Sequence, residues 1–500
     1  MIISTILAAG DIKSVVDWIN DNIIWSKALI YLCLTVGLYF SMRSRFLQVR
    51  HLKRMIQLLI DGKSSNEGVS SFQALAMSLA GRVGTGNIAG VATAITFGGP
   101  GAMFWMWMVA FLGASTAFVE STLAQIYKER DATGHFVGGP AYYFEKGLGQ
   151  KWYAILFAIS TVIACGVLLP GVQANSIADG VCNAVHLDKT ITAGIIAVML
   201  GIIIFGGVKR IANAAELIVP FMAVAYILVA VGIVVMNIGK LPAVLELIFS
   251  SAFGTHAAFG AILGEAIKWG VKRGVYSNEA GQGTGPHPAG AANVTHPAKQ
   301  GLVQAFSVYV DTLFVCSATG FMLLITGMYN VQDPSNKEGY LYHGVQNVGV
   351  GAGYTQNAME SIMPGFGSIF IAVALFFFAF TTIMAYYYYA ETNLRYLNKY
   401  VNMPWAIPLL KVVIIGMVVY GCLKTADLAW ALGDLGVGLM AWLNIVGILF
   451  LQKPAFAALR DYEAQLKDGK DPLYDPEANG VHNAPIWKEI RQKYLEKGHH

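Results

Sequence analysis

The chain has 500 residues, of which 55% are apolar and only 13% are charged, with a mean hydropathy of +0.54. A globular chain of ordinary composition carries roughly 25% charged residues, so a water-soluble body of this size is excluded, and with it soluble enzymes, nucleic-acid readers and disordered scaffolds. The formal net charge of +4 points to no polyanionic partner.

In chain order, residues 1–10 (MIISTILAAG) lack a basic leading segment and are expected to stay on the chain rather than be cleaved as a signal. Residues 1–26 form an external lead-in, with the DWINDNIIW stretch predicting an amphipathic segment lying on the membrane. A spanning helix needs about 20 mostly apolar residues. Eleven runs approach that requirement, near 27–43, 71–97, 101–127, 152–179, 189–207, 213–237, 257–291, 300–327, 366–391, 405–421 and 426–452. The first is short. The second and seventh are long and interrupted by glycine and polar residues, which predicts discontinuous helices. Residues 453–500 are polar and predict a cytoplasmic tail.

Lys and Arg concentrate in short cytoplasmic loops. Here they cluster after the first run (Arg43, Arg45, Arg50, Lys53, Arg54), after the third (Lys128, Arg130, Lys146, Lys151), after the fifth (Lys209, Arg210) and after the ninth (Arg395, Lys399). The alternation predicts a multi-pass protein of the plasma (inner) membrane with its N-terminus outside and its C-terminus inside, and places the loop 328–365 outside. Cys33, Cys165, Cys182, Cys316 and Cys422 have no metal-ligand spacing and are expected to be free thiols.

A shift of 191 residues superposes the two interrupted runs (278 − 87 = 191). It pairs Arg82 with Arg273, Asn87 with Asn278, Ala89 with Ala280, Gly90 with Gly281 and Thr93 with Thr284, and it sets Glu120 over Asp311. The pairs are few, but five of them fall within twelve residues of the two odd runs. Five runs separate the copies, so they cross the membrane in opposite directions. Inverted repeats whose matching helices are broken are the sequence signature of a secondary transporter. A break strands N–H and C=O groups at several kcal/mol each. Half-helix N-termini can use such N–H groups on a carboxylate, and freed carbonyls can hold a cation. A zwitterionic amino acid with a sodium ion meets both demands. Small-residue packing alone does not call for Arg82, Asn87, Arg273, Asn278 and Glu279 at membrane depth.

The runs GTGNIAGVATAITFGGPGAMFWMW (84–107), GVKRGVYSNEAGQGTGP (270–286), FVGGPAYYFEKGLG (136–149) and GVQANSIAD (171–179) resemble the alanine or glycine:cation symporter family over nearly the whole chain to about residue 452. The resemblance implies an all-α membrane protein of the leucine-transporter fold. Two inverted five-helix repeats, 71–237 and 257–452, would follow one extra transmembrane helix at 27–43. It implies that the substrate carboxylate meets the backbone N–H groups of Thr85 and Gly86 and the amide of Asn87, with Gln173, Ser277, Asn278, Thr382 and Tyr386 completing the pocket. It implies sodium, the coupling ion, on the carbonyls of Ala80 and Val83 and the hydroxyls of Thr381 and Thr382. No organic cofactor is expected. Two positions depart from the family's usual pattern: Arg82, where many relatives carry a small polar residue, and Tyr386, where an indole is common.

Several residues keep two readings. Glu120 and Asp311 are a proton relay or, more simply, partners of Arg82 and Arg273 or helix caps. Glu265 is expected deeper in the membrane. Of the run Tyr386–Tyr389, Tyr386 is expected to face the pocket. The leading expectation is a sodium-coupled importer of alanine and glycine, not an enzyme. The alternatives are proton coupling, or a larger neutral substrate such as glutamine. A channel is disfavoured by the chain's own pseudo-symmetry, and an intramembrane enzyme by the lack of a catalytic set.

Overall fold

The computed structural model describes residues 12–61, 69–256 and 258–496; the expectation for residues 1–10 lies outside them. The helices are α1 (Ile12–Ile19), α2 (Lys27–Arg43), α3 (Leu52–Asp61), α4 (Ser71–Arg82), α5 (Val91–Gly98), α6 (Ala102–Ile126), α7 (Pro140–Leu148), α8 (Lys151–Ile163), α9 (Leu169–Val185), α10 (Lys189–Ile204) and α11 (Gly207–Met236). They continue with α12 (Leu241–Ala252), α13 (Leu263–Asn278), α14 (Pro286–Ala291), α15 (Pro297–Val308), α16 (Ser317–Thr326), α17 (Ala352–Ile362), α18 (Gly367–Asn398), α19 (Ala406–Leu423), α20 (Ala426–Lys467) and α21 (Ile486–Glu496). Every one of the apolar runs holds helix. Among the described residues, seven helical stretches are long and apolar enough to cross a membrane unbroken. The remaining runs are short, as in α2 and α10, or interrupted, as expected for 71–97 and 257–291.

The helices end where their sequences stop supporting them. Ser70 opens α4 with a reciprocal cap: its hydroxyl accepts from the Gln73 N–H at 3.1 Å and the Gln73 side chain accepts from the Ser70 N–H at 3.0 Å. Three residues, Val83–Thr85, then separate α4 from a π turn at Gly86–Gly90 that leads into α5. The second interruption is sharper. Glu279 turns left-handed at φ +56° and is followed by Gly281 at +85° and Gly283 at +86°. Those angles are open to glycine at little cost. Pro286 then starts α14 at a position where its missing N–H is not needed.

Three features differ from the sequence reading. The loop 328–365 contains a two-stranded antiparallel hairpin, β1 (Asn330–Asp333) with β2 (Asn336–His343), and α17. Helix α20 does not stop at 452 but runs 42 residues through Pro454 to Lys467, so the tail begins as its continuation. The lead-in packs as α1 and a π turn bent by 45° from α2; its Asn20 amide donates to the Ala431 carbonyl at 2.8 Å and its Trp25 indole to the Asp434 carbonyl at 2.8 Å.

The polar residues of the interrupted runs are sealed inside: Arg82, Asn87, Glu120, Asn278, Glu279 and Asp311 are all buried. The outward rows are apolar instead. On α11, Leu217, Phe221, Leu228 and Val235 are each more than half exposed. A lipid solvent turns the usual pattern of a soluble fold outward in this way.

Candidate functional site

The first break is held open by side chains from three other helices. The Thr382 hydroxyl on α18 lies 2.8 Å from the Ala80 carbonyl, 3.4 Å from that of Val83 and 2.9 Å from that of Phe378. One hydroxyl proton serves one acceptor, so lone pairs are left in excess and converge on a single point. Beside it, the Thr85 N–H donates to Gln173 Oε1 on α9 at 3.0 Å, and the Thr85 hydroxyl has no partner. Gly84 lies between these groups. A Cβ there would stand 2.5 Å from Thr382 Oγ1 and 3.0 Å from Gln173 Oε1.

Asn87 ties the break to the far side of the bundle. Its Oδ1 accepts from the Gly84 N–H at 2.8 Å, and its amide nitrogen donates to Asp311 Oδ1 at 2.6 Å. Asp311 also accepts from the hydroxyls of Ser277 at 3.1 Å and Thr312 at 2.6 Å. Asn278 closes the end of α13: its Oδ1 accepts from the Ala280 N–H at 3.0 Å, and its amide donates to Thr312 Oγ1 at 3.3 Å. Across the second break, Glu120 on α6 accepts from the Gly281 N–H at 3.2 Å and from the Asn444 amide at 2.7 Å.

One end of the site is closed by charge. Arg273 grips Asp434 with two bonds, 2.7 and 3.1 Å, and Lys272 reaches the same carboxylate at 2.7 Å. The guanidinium lies 4.4 Å over the Trp430 ring, and Trp430 lies 5.1 Å from the Tyr276 ring. Trp430 also borders a cavity of about 220 Å³ lined by Ala89, Asn175, Asp179 and Gly351. At the opposite end a cavity of about 260 Å³ is lined by Val69, Asp131, Lys209, Ala291, Tyr388 and Arg395. The breaks lie between two cavities that approach from opposite ends.

The structure brings Ala80, Val83 and Thr382 together, and Thr85 with Gln173. Gly86 lies against Tyr276 and Ser277, where an added Cβ would come within 3.3 Å of both. Asn87, Ser277 and Asn278 meet around Asp311 and Thr312, with their polar atoms turned to one another. Thr381 points elsewhere: its hydroxyl bonds back to the Phe377 and Phe378 carbonyls, both at 3.0 Å, as threonines in apolar helices commonly do. Tyr386 is buried, 6.3 Å from Tyr389 between ring centres.

Other expectations need correction. Arg273 pairs with Asp434, not with an acid at a repeat position, because Asp434 on the adjacent face of α20 offers it two oxygens. Glu120 takes the capping role. Asp311 takes neither: it is a member of the site, and its position one repeat after Glu120 was the signal for it. Glu265 is not deep; it sits in the first turn of α13, half-buried, 3.9 Å from Lys268. Asp434 carried no motif and was missed.

A membrane-embedded bundle with two interrupted helices, oxygen-rich at one break and donor-rich at both, defines a secondary transporter. The chain belongs to the sodium:alanine symporter family, whose family model matches residues 9–476. It is a sodium-coupled symporter and not an enzyme. Among relatives, it is 61% identical over 469 residues to the putative sodium/proton-dependent alanine carrier protein YrbD of Bacillus subtilis (strain 168), covering 94% of this chain and 96% of that one. It is 53% identical to the sodium/proton-dependent alanine carrier protein of Bacillus sp. (strain PS3), covering 89% and 99%, and 37% identical to the sodium/alanine symporter AgcS of Methanococcus maripaludis, covering 91% and 99%. A solved Na+-coupled sialic acid symporter in a substrate-bound outward-open state matches with a TM-score of 0.50 at 12% identity, covering 97% of this chain and 98% of that one. That likeness bears on the fold alone, and it is the leucine-transporter fold expected from the sequence.

Proposed function

We propose that this chain imports alanine and glycine together with sodium, by alternating access around the two breaks. The carrying observation is the nest at Thr382, where three carbonyls crowd one hydroxyl and leave surplus oxygen for a hard cation. Unwound carbonyls of this kind coordinate sodium in broken-helix transporters. The ion takes Ala80, Val83 and Thr382; Thr381 contributes by holding its own helix turn.

Gln173 Oε1 on the Thr85 N–H marks where a substrate carboxylate oxygen sits. The carboxylate displaces it onto the N–H groups of Thr85 and Gly86, and the freed Gln173 amide then orients the ammonium end. Asn87, Ser277 and Asn278 hold the facing half-helix, and Tyr386 covers the pocket from α18. The lack of room at Gly86, where even a Cβ would crowd Tyr276 and Ser277 at 3.3 Å, supports a small side chain, and the alanine carriers among the relatives support the same choice. The repeats 71–237 and 257–452 supply the two halves that rock. The Lys/Arg loops support an outside N-terminus, which makes Arg273, Asp434 and Trp430 the closed outer gate.

The test is labelled alanine uptake into proteoliposomes with sodium or choline outside, against a panel of amino acids. The expected outcome is sodium-dependent uptake blocked by glycine. Uptake blocked by glutamine or leucine but not by glycine would overturn the assignment of substrate.

A further inference from the structure

Beside the substrate groups lies a second cluster of buried polar side chains that the sodium and substrate assignments do not use. Its members are Arg82 at the end of α4, Glu279, Gln282 and Thr284 in the second break, and Tyr389 on α18. All five are buried, and each keeps polar atoms without a partner; of the Arg82 nitrogens only Nη1 is engaged, by the Gln304 carbonyl and the Ser307 hydroxyl. Both carboxylate oxygens of Glu279 lack a hydrogen-bond partner, as do Arg82 Nε and Nη2, both amide atoms of Gln282 and the hydroxyls of Thr284 and Tyr389. Glu279, Tyr389 and Arg82 pack closely around two glycines. A Cβ on Gly81 would lie 3.1 Å from Glu279 Oε2 and 2.3 Å from the Tyr389 hydroxyl, and one on Gly285 would lie 2.6 Å from Arg82 Nη2.

Charge is out of balance around this cluster. Glu279 is faced by Arg82 from α4, Glu120 from α6, Asp311 from the π turn before α16, Cys165 from the turn before α9, and Tyr386 and Tyr389 from α18. With three acids and one guanidinium, full ionisation would leave two negative charges in the middle of a bilayer (−3 + 1 = −2). A sodium ion at Thr382 removes one of them. The other must be met by a proton, because a buried uncompensated charge costs far more than a neutral carboxyl. Hydrogen bonds identify the acid that takes it. Asp311 accepts from three side chains and Glu120 from two groups, so their oxygens are engaged as acceptors. Neither oxygen of Glu279 has a partner at hydrogen-bond distance, and the Thr284 hydroxyl is the side-chain donor that reaches toward it.

A chain of contacts leads from this cluster to a cavity. Tyr388 lines the cavity of about 260 Å³ near Val69 and Arg395, and its hydroxyl donates to the His287 carbonyl at 3.3 Å. The His287 ring stacks on Tyr389 at 5.4 Å, next to Glu279. This layer belongs to α14 and α18, which border the second break.

We propose that Glu279 binds the proton that moves with the substrate: its carboxylate is protonated when the site faces outward and releases the proton to the Tyr388 cavity when α14 parts from α18. This rests on the reading of the chain as a sodium-coupled alanine symporter, so the test measures the two separately. Proteoliposomes with equal sodium on both sides and entrapped pyranine receive alanine, and lumen acidification is compared with labelled alanine uptake. The expected result is acidification in wild type and a proton-to-alanine ratio at least tenfold lower in Glu279→Gln. Absence of acidification in a wild type that performs sodium-driven uptake overturns the proposal but not the symporter reading. An unchanged ratio in Glu279→Gln also overturns it. Should that variant not reach the membrane, Glu279→Asp decides: a carboxyl of different strength must shift the pH of half-maximal uptake, and an unshifted profile overturns the assignment.

Discussion

The Asn87 amide donates to the Asp311 carboxylate at 2.6 Å across 224 residues of sequence. At the other break, Glu120 accepts from the Gly281 N–H at 3.2 Å. Glu120 and Asp311 are the pair that the 191-residue shift sets over one another. Each follows one interrupted helix and binds at the other. An acid in the middle of the bundle is therefore a strut between the halves, and its removal strands donors on both.

Asp311→Ala tests this. It removes the carboxylate from the Asn87 amide and from the hydroxyls of Ser277 and Thr312, leaving Asn87 the Asp311 carbonyl at 3.2 Å and leaving Ser277 only the weak acceptor Cys316 Sγ at 3.2 Å, at roughly 1–3 kcal/mol for a buried group left unpaired. Alanine uptake is expected to be lost in a protein that still reaches the membrane, with a melting temperature several degrees lower. Uptake within twofold of wild type would remove Asp311 from the site.

Thr382 and Thr381 are adjacent but not equivalent. Thr382→Ala removes the hydroxyl that faces Ala80 and Val83 and is expected to raise the sodium concentration for half-maximal uptake tenfold or more. By linkage, alanine then raises sodium affinity by the same factor that sodium raises alanine affinity. Thr381→Ala loses only a bond to its own helix and is expected to shift sodium dependence by less than twofold. Sodium titration of uptake in both variants separates them, and equal shifts would place the ion between the two hydroxyls.

Gly84→Ala introduces a Cβ 2.5 Å from Thr382 Oγ1 and 3.0 Å from Gln173 Oε1. The methyl group pushes apart the two side chains that flank the break. Both sodium dependence and alanine affinity are expected to fail together, measured by binding of labelled alanine with and without sodium. Gln173→Ala frees the Thr85 N–H and is expected to weaken alanine binding about tenfold, roughly 1.4 kcal/mol, while the sodium dependence persists.

Much of this was legible because lipid makes polar residues conspicuous. Two glycine-rich interruptions carrying Arg82, Asn87, Asn278 and Glu279 in otherwise apolar runs had no inexpensive explanation, and Ala80, Val83 and Thr382 do meet at the first. The orientation of Thr381 was not legible, since two adjacent threonines differ only by the turn of a helix that sequence does not fix. Asp434 was missed because one acid near the start of an apolar run reads as a helix end. Its partner Arg273 lies 161 residues away, and the sequence has no signal at that distance. Glu265 failed in the opposite sense: its apolar neighbours suggested depth, yet the first turn of α13 is partly exposed.

Asp434 pairs with two buried basic side chains, Lys272 and Arg273. Breaking a buried ion pair by removing one partner costs about 3–5 kcal/mol. Asp434→Ala is expected to open this end: a cysteine placed at Trp430 reacts faster with a membrane-impermeant thiol reagent, and the Michaelis constant for alanine rises. Unchanged labelling would mean that the ion pair seals nothing.

The chain's last helix tests how the bundle is braced. Trp487 on α21 is buried, and its indole donates to the carbonyls of Gln125 at 3.1 Å and Ile126 at 3.2 Å, at the end of α6. Lys128 lies 4.9 Å from the same ring, and Glu489 takes an ion pair from Arg130 at 2.8 Å. Trp487→Ala is expected to weaken docking by about 3–5 kcal/mol and, at pH 8, to let trypsin cut after Lys488, whose side chain is exposed but whose backbone is held in α21. Glu489 acts in a smaller, pH-dependent way. The hydrogen bond from Arg130, opposed by partial burial, holds its carboxyl below the usual glutamate range. A depressed acid stabilises the docked state above its unfolded pKa, about 4.3, and loses that contribution as pH falls through the lower docked value. Release of α21 in the wild type, followed by the emission of a pH-insensitive fluorophore attached at Gln492→Cys, is therefore expected to be flat from pH 8 to about 5 and to rise only below about 4. In Glu489→Gln that rise is reduced, and an identical acid rise in both proteins would show that other carboxyl groups release α21.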